Sequence, residues 1–318
     1  MKSLKLGLLE FGVRKKLNTL SKIDDIFAYA CEADRLGYSR FWLGEHYTVS
    51  ADTAWQNPEP LIPLLAGMTN NISVGVAGLL IRYHCPYRVA LSFKMLSNLF
   101  PGRIDLGFAK GTPGEKNVIP LLLGGYMNDE GANLFTDRML ETISILKNEE
   151  EYAGRNIILP PYKGDLPNLW GLSISNNGLN QALDNEMNYS RSLFHEKANI
   201  SFEKEKLYAY KNKFEDLYGK KPMVNLAIAG YCAESAQSAE SEFKTLLKNN
   251  PYYLPFEKNA SCYVYGSPSQ FADKLNELAE NYGTEEFIFI DIADEPGKRK
   301  ETLNLIGEEL SLMPCLEQ

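Results

Sequence analysis

Short apolar runs alternate with helical patterns through the first hundred or so residues, and this rhythm limits what the chain can fold into. The runs cover Leu4–Phe11, Phe41–Gly44, Ile72–Gly78 and Ile104–Phe108, and a helical pattern separates each from the next. Strands joined in this way by helices and short turns are typical of βα units, whose strands pair in parallel. The runs are mostly apolar and lack a regular alternation of polar and apolar residues, which indicates strands buried on both faces. The sequence therefore predicts a parallel sheet or barrel.

The second half of the chain continues the pattern less regularly. It predicts a fifth strand at Leu169–Ser175, a sixth within Asn188–Phe194, a seventh at Val224–Ala229 and an eighth at Phe287–Ile292. The aromatic, Asn- and Pro-containing segment Lys244–Val264 has the composition of a long loop or insertion, and such loops in barrels are often lids. No break in composition marks a second domain, so we expect one domain over residues 1–318.

Two helices carry clear boundary signals. Ser21, followed three residues later by Asp24, predicts an N-cap, and Gly37 predicts the end of that helix. Near the carboxyl end of the chain, Ser267 and Pro268 predict the start of a helix that Gly283 stops.

Charge and composition exclude several classes of function. A net charge of −8 and a pI near 5.2 argue against a nucleic-acid surface or an anionic-membrane binder, so a small molecule is the expected partner. No run of about 18 apolar residues could span a bilayer, and we expect a cytoplasmic protein. The five cysteines include no CxxC pair, so neither a disulfide framework nor a metal site is expected.

The second apolar run ends in Glu45 and His46. Parallel barrels present catalytic groups at the carboxyl ends of their strands, and the pKa of histidine suits proton transfer near pH 7. His46 is therefore a candidate general acid or base, and the alternative is a structural histidine bonded to Glu45 or to the backbone. Glu45 could orient His46 or hold another polar group; the alternative is a carboxylate paired with an arginine.

The other two histidines are weaker candidates. His84 lies in the loop after the third run, where hydrogen bonding at the start of the next helix is the simpler interpretation. His195 follows the sixth predicted strand.

Two polar turns follow predicted strands. Lys110, Gly111 and Thr112 offer a cation, a bare backbone and a hydroxyl to a phosphate after the fourth strand. After the fifth strand comes a turn that precedes a helical pattern, where backbone N–H groups favour an anion. Its polar residues and glycine are Ser173, Ser175, Asn176, Asn177 and Gly178. Together the turns indicate a phosphate-bearing ligand, although surface loops often have such compositions.

An ordered series of motifs resembles the bacterial luciferase-like flavin-dependent oxidoreductases. The likeness is dense over residues 1 to about 145 and again from about 264 to 310. The motifs are Glu32–Tyr38, Phe41–His46, Asn57–Pro60, Ile72–Gly75, Pro86–Ala90, Pro101–Gly107 and Gly266–Pro268.

The resemblance implies a (β/α)8 TIM barrel with FMN at the carboxyl ends of the strands. It implies a monooxygenase in which a separate flavin reductase supplies reduced FMN, O2 gives a flavin C4a-hydroperoxide, and this species oxygenates a small organic substrate. A homodimer is also implied.

The same resemblance assigns roles to matching residues. It gives His46, with Glu45 beside it, an active-site role, and it places a non-proline cis peptide at Ala77–Gly78, against the flavin ring. Lys110 matches an arginine on the FMN phosphate, and Ser175 lies in a flavin-contacting turn. The cofactor-binding set is expected to include Ala77, Gly78, Ala109, Lys110, Gly111, Ser173, Ser175 and Asn176.

Two positions depart from the luciferase pattern. Ala109 stands where luciferases have a cysteine, and Lys110 replaces a bidentate arginine with a point charge. Light emission is therefore not expected. Two further interpretations stay open: a hydride-transferring oxidoreductase that uses the deazaflavin F420, and a non-catalytic flavin-binding or partner subunit.

Overall fold

Within the described residues, nine parallel strands form the centre of the protein. The computed structural model describes residues 4–15, 17–47, 52–124, 134–195, 204–249, 263–293 and 295–312. The strands are β1 (Lys5–Glu10), β2 (Arg40–Leu43), β3 (Ser73–Leu79), β4 (Ile104–Phe108), β5 (Asn168–Ser173), β6 (Asn188–Ser192), β7 (Val224–Cys232), β8 (Tyr263–Gly266) and β9 (Glu286–Asp291).

Eight of these strands close into a barrel. Strands β1 to β7 pair in sequence order, β7 pairs with β9, and β9 returns to β1 through the register Lys5↔Glu286 to Leu8↔Phe289. The (β/α)8 barrel is therefore confirmed, and the eight predicted strands correspond to β1–β7 and β9. Strand β8 was not predicted; it pairs with Ala229–Cys232, the carboxyl half of β7.

Helices surround the barrel. They are α1 (Thr19–Leu36), α2 (Ile62–Met68), α3 (Pro86–Leu99), α4 (Ile119–Leu122), α5 (Leu134–Lys147), α6 (Glu149–Gly154), α7 (Asn177–Asp184), α8 (Lys204–Tyr218), α9 (Ala236–Asn249), α10 (Pro268–Tyr282) and α11 (Pro296–Glu309). Within the described ranges, none of them is long and apolar enough to cross a membrane.

The helix boundaries test two predictions. Helix α10 begins and ends as predicted, with a capping box between Ser267 and Gln270. The predicted N-cap of α1 was wrong: Asn18 caps this helix by accepting a hydrogen bond from the backbone N–H of Ser21. Asparagine caps as well as serine, so Asn18 starts the helix three residues earlier. Gly37 ends α1 in the left-handed conformation, as predicted.

The segment Lys244–Val264 is not a continuous loop. Its first six residues, through Asn249, complete helix α9, and its last two belong to β8. Lys244 lies one helical turn after Glu240 and pairs with it, which is a helical arrangement. Residues 250–262 lie outside the described residues, so the predicted lid stays a prediction.

Successive side chains along each strand point alternately to two apolar layers, one outside the barrel and one inside it. Leu6, Leu8, Phe41 and Leu43 belong to the layer between the strands and the helices. The barrel interior is filled by a second set. Its members on the strands include Leu9, Trp42, Ala77, Trp170, Ala227, Ala229, Tyr231, Ile288 and Ile290.

A polar layer closes the amino-terminal end of the interior. The buried Asp105 carboxylate accepts hydrogen bonds from Arg40 Nη1 at 2.7 Å, Trp42 Nε1 at 2.7 Å and Trp170 Nε1 at 3.1 Å. Arg40 also donates to Glu286 and lies over the ring of Trp170, 4.7 Å from its centroid. Each group is buried with a partner, as burial of charge requires. This layer fixes the base of the barrel.

Candidate active site

The residues predicted to bind a cofactor lie along one rim of the barrel. Strands β2, β3, β4 and β5 are consecutive neighbours in parallel register, and their carboxyl ends therefore meet at one edge. Leu43 pairs with Val76, and Phe108 pairs with Gly171. The predicted site residues lie within five residues after these registered pairs. The structure thus brings all four strand ends together.

His46 lies just beyond β2 with its ring partly buried. Its backbone N–H donates to the carbonyl of Gln56 at 3.2 Å, and the Phe11 ring contacts the imidazole edge-to-face, with centroids 5.9 Å apart. Burial lowers the pKa of His46 below its ordinary value. The imidazole is therefore neutral at pH 7, with one ring nitrogen able to accept a proton.

The Glu45 carboxylate contacts three groups from the rim other than the His46 imidazole. This buried carboxylate accepts hydrogen bonds from the Tyr47 hydroxyl at 2.8 Å and the Leu80 backbone N–H at 2.7 Å, and it pairs with His84 Nε2 at 2.8 Å. Glu45 therefore holds other polar groups, which is one of the interpretations that the sequence offered, and its basic partner is a histidine, whereas the alternative interpretation named an arginine.

The end of β3 carries the predicted cis peptide. The bond between Ala77 and Gly78 is cis, and the pairing of β3 with β4 shifts register between Val76 and Leu79. A Cβ added at Gly78 would lie 2.5 Å from Ala109 Cβ, so only glycine fits this position without rearrangement. Ala77 points into the barrel, where it is 5% exposed. The contact with a flavin stays a prediction.

Lys110 and Gly111 are exposed where the chain leaves β4. Ala109 is held to β3 by a hydrogen bond from its backbone N–H to the Leu79 carbonyl at 3.0 Å. An exposed ammonium group beside bare glycine backbone can approach an anion from solvent.

The turn after β5 is ordered by its own side chains. The Ser173 hydroxyl donates to the Ser175 carbonyl at 2.7 Å and accepts from the Ser175 backbone N–H at 3.1 Å. The Tyr189 hydroxyl donates to the same carbonyl at 2.9 Å. Asn176 is the N-cap of α7. The turn therefore has one defined shape at the positive end of a helix.

The floor inside this rim is apolar. Leu9, Ala77, Ala229 and Ile290 are each buried to at least 92%, and Leu172 packs against the same set. Such a surface accepts the face of a planar ring system. An apolar floor, a neutral imidazole, an exposed lysine and the start of helix α7 thus occur at one end of the barrel.

Two features of the rim were not predicted. Phe11, at the end of β1, contacts the His46 ring, and His84 pairs with Glu45 across 39 residues of sequence. The sequence did contain a signal for the pair of His84 and Glu45. His84 follows β3 as His46 follows β2, and these two strands are neighbours.

Comparison with known proteins agrees with this architecture. The family model described as luciferase-like monooxygenase matches residues 6–310. The chain belongs to this family. Membership supports an oxidoreductase and confirms the resemblance seen in the sequence.

The uncharacterized protein YwcH of Bacillus subtilis (strain 168) is 26% identical over 323 aligned residues, covering 92% of this chain and 94% of the relative. The crystal structure of apo-MsnO8 superimposes with a TM-score of 0.81 at 26% identity and covers 98% of both chains. The oxygenating constituent of the 3,6-diketocamphane monooxygenase of Pseudomonas putida, a type II Baeyer–Villiger enzyme in complex with FMN, has a TM-score of 0.74 at 17% identity. It covers 99% of this chain and 100% of its own, and shows the shared fold.

Proposed function

We propose that this protein is a flavin-dependent monooxygenase that uses reduced FMN and O2 to oxygenate a small organic substrate. The observation that carries the proposal is the shared rim of β2 to β5, where an apolar floor lies beside an exposed lysine. FMN is a planar ring system joined to a single phosphate, and these two surfaces fit its two parts.

The residues divide into those for the ring and those for the phosphate. Ala77 and Gly78 would pack against the ring, because the backbone here carries at most a methyl group. Lys110, with the turn from Ser173 to Asn176, would hold the phosphate by charge and by the positive helix end. Bound reduced FMN would supply the two electrons that O2 activation needs.

His46 is the proposed proton-transfer group. Because burial keeps its imidazole neutral, a ring nitrogen can take a proton from a ligand on the floor and return it. Phe11 fixes the ring from one side. Glu45, whose oxygens are already engaged, acts by holding the strand ends.

An anaerobic titration with reduced FMN, followed by a pulse of O2, tests the proposal. We expect tight binding of reduced FMN and a time course of reoxidation that differs from that of free reduced FMN. Binding with reoxidation unchanged would favour a non-catalytic flavin-binding subunit. Failure to bind reduced FMN, with binding of reduced F420, would favour the deazaflavin alternative.

Replacing His46 with alanine tests its role. Loss of a general acid or base slows turnover by about 100-fold or more, while the floor and the phosphate site remain. We therefore expect unchanged affinity for reduced FMN and slow substrate oxygenation. Unchanged turnover with flavin bound would contradict the assignment.

We also propose that a separate flavin reductase supplies the reduced FMN and that the protein is a homodimer. Helices α2 and α3 expose large apolar side chains: Leu64 is 52% exposed, Met68 51%, Met95 42% and Leu99 61%. Soluble proteins rarely leave such side chains grouped in solvent, so this surface supports contact with a second copy.

The ends of these two helices are held side by side. Arg103, which follows α3, donates to the carbonyls of Ala66 and Thr69 at the end of α2. Leu99→Glu should therefore convert a dimer to a monomer in light scattering after size exclusion. Leu217→Glu is the matched control, since Leu217 is 64% exposed on α8. A wild-type monomer would overturn the proposal.

A further inference from the structure

The Glu45 carboxylate is a fully enclosed acidic group at the rim. Its side chain has 0% exposure, and its oxygens receive the Leu80 backbone N–H, the Tyr47 hydroxyl and His84 Nε2. Both oxygens lie within 3.0 Å of His84 Nε2. Among the described residues, His84 carries the one basic side chain within ion-pair distance of this carboxylate.

A buried carboxylate needs a compensating charge, because transfer of an unpaired ion out of water costs several kcal/mol. Tyr47 and the Leu80 N–H are neutral donors, so the compensation falls to His84. A second carboxylate acts on the same ring, since Glu59 Oε1 lies 3.9 Å from His84 Nδ1. Two acidic groups therefore surround one imidazole.

The other charged neighbours do not alter this balance. Arg138 on α5 donates to the backbone carbonyls of Arg82 and His84, and its charge opposes protonation of the imidazole. Burial lowers the pKa of His84, but Glu45 and Glu59 outweigh it, so the pKa lies above the ordinary value. The pKa of the Tyr47 hydroxyl is raised by burial and by Glu45, so it stays protonated.

The pair joins two parts of the proposed flavin site. Glu45 precedes His46 in the chain, and Leu80 follows β3 directly after the bulge at Ala77 and Gly78. The Glu45 carboxylate therefore links the segment that carries His46, just after β2, to the backbone beneath the proposed flavin ring.

We propose that His84 is a positioning residue that, as an imidazolium, holds Glu45 in place and thereby fixes His46 against the β3 bulge. Loss of its proton leaves Glu45 uncompensated and loosens the contact between the two strand ends. This role rests on the proposed function for its effect on flavin binding, but its structural part can be measured without a cofactor.

The pH dependence has a defined sign. A histidine whose pKa is raised on folding contributes stability that is complete below its unfolded pKa, about 6.5, and is lost as pH rises through the folded value. His84→Gln keeps a hydrogen-bond donor but no charge. We therefore expect the variant to unfold several degrees below the wild type at about pH 6, and the gap to narrow by about pH 9.

Two further variants make the experiment specific. Tyr47→Phe removes a neutral donor from the same carboxylate, so its deficit should not change between these pH values. In a Glu45→Gln background, His84→Gln should have a much smaller effect at about pH 6, because the enclosed Glu45 charge is gone and only the more distant Glu59 carboxylate remains. A His84→Gln deficit that is constant with pH, or equal in both backgrounds, would overturn the proposal.

Amide hydrogen exchange and the affinity for reduced FMN test whether His84 keeps the two strand ends in place. Peptides covering residues 77–83 should exchange faster in His84→Gln, while peptides from β7 should not change, and the affinity for reduced FMN should fall at about pH 6. Unchanged exchange over residues 77–83 would also count against the role. If wild-type protein does not bind reduced FMN, the proposed function fails, while the unfolding and exchange data still decide the role of His84.

Discussion

Replacing Asp105 with asparagine should destabilise the base of the barrel without changing its shape. Each oxygen of this buried carboxylate accepts two hydrogen bonds. Oδ2 receives Arg40 Nη1 and Trp42 Nε1, both at 2.7 Å, and Oδ1 receives Trp170 Nε1 and Asn168 Nδ2, both at 3.1 Å. An amide retains one acceptor oxygen and turns its NH2 group toward the other two donors.

The magnitude follows from these contacts. Two lost neutral hydrogen bonds cost about 1 kcal/mol each, and opposed buried donors add about 1–2 kcal/mol. Breaking a buried ion pair usually costs about 3–5 kcal/mol, but Arg40 keeps Glu286 at 2.8 Å, so its charge stays balanced. We therefore expect a loss of about 3–4 kcal/mol in the free energy of unfolding.

Urea unfolding followed by tryptophan fluorescence measures the loss, since Trp42 and Trp170 lie in the affected layer. Asp273→Asn is the control, because it removes the same charge from an exposed position on α10. We expect the control to stay within about 0.5 kcal/mol of the wild type. A loss below about 1 kcal/mol for Asp105→Asn would refute the view that its four hydrogen bonds stabilise the barrel.

Three further substitutions test separate parts of the structure. Lys110→Met should weaken FMN binding by about fivefold to tenfold and leave riboflavin, which lacks the phosphate, unaffected in fluorescence titrations; equal losses would contradict a phosphate contact. Gly78→Ala should cost about 1–3 kcal/mol in urea unfolding, because the new Cβ meets Ala109 Cβ and Leu172 Cδ1 at 2.5 Å, and Ala109→Gly should recover part of it. Burial raises the pKa of Asp291 to about 7, although Arg299 opposes this, so the stabilisation it gives below about pH 4 is lost by about pH 7. The melting temperature of Asp291→Asn should therefore rise relative to that of the wild type as pH increases across that range. A difference in melting temperature that is constant with pH would contradict the raised pKa of Asp291.

The sequence predicted the barrel because each strand carries its own signal. Runs such as Ile104–Phe108 are mostly apolar, with Asp105 as the exception, and lie between a turn and a helix, and this strand has the predicted bounds. Strand β8 gave no such signal: it has four residues, and its pairing depends on β7 extending beyond β9 to Cys232. Local composition does not record that extension.

The site was predictable to the level of strand ends. Residues that follow neighbouring parallel strands must share a rim, which brought His46 and Lys110 together before any contact was known. The role of Gly78 came from the family resemblance alone. The partner of Glu45 could not be obtained in this way. It depends on how the chain turns after Leu80 to bring His84 back over β2, and this turn is set by packing between distant residues.

The polar layer at Asp105 also determines how molecules reach the interior. Arg40, Trp42, Trp170 and Glu286 fill one end of the barrel, so the interior is a cup with a closed base. A flavin resting on the floor at Ala77 would have to enter through the mouth, and any substrate arriving later would lie above it. If the proposed flavin binds on this floor, a barrel closed at one end predicts a compulsory order of binding, with the flavin first and the product leaving before it.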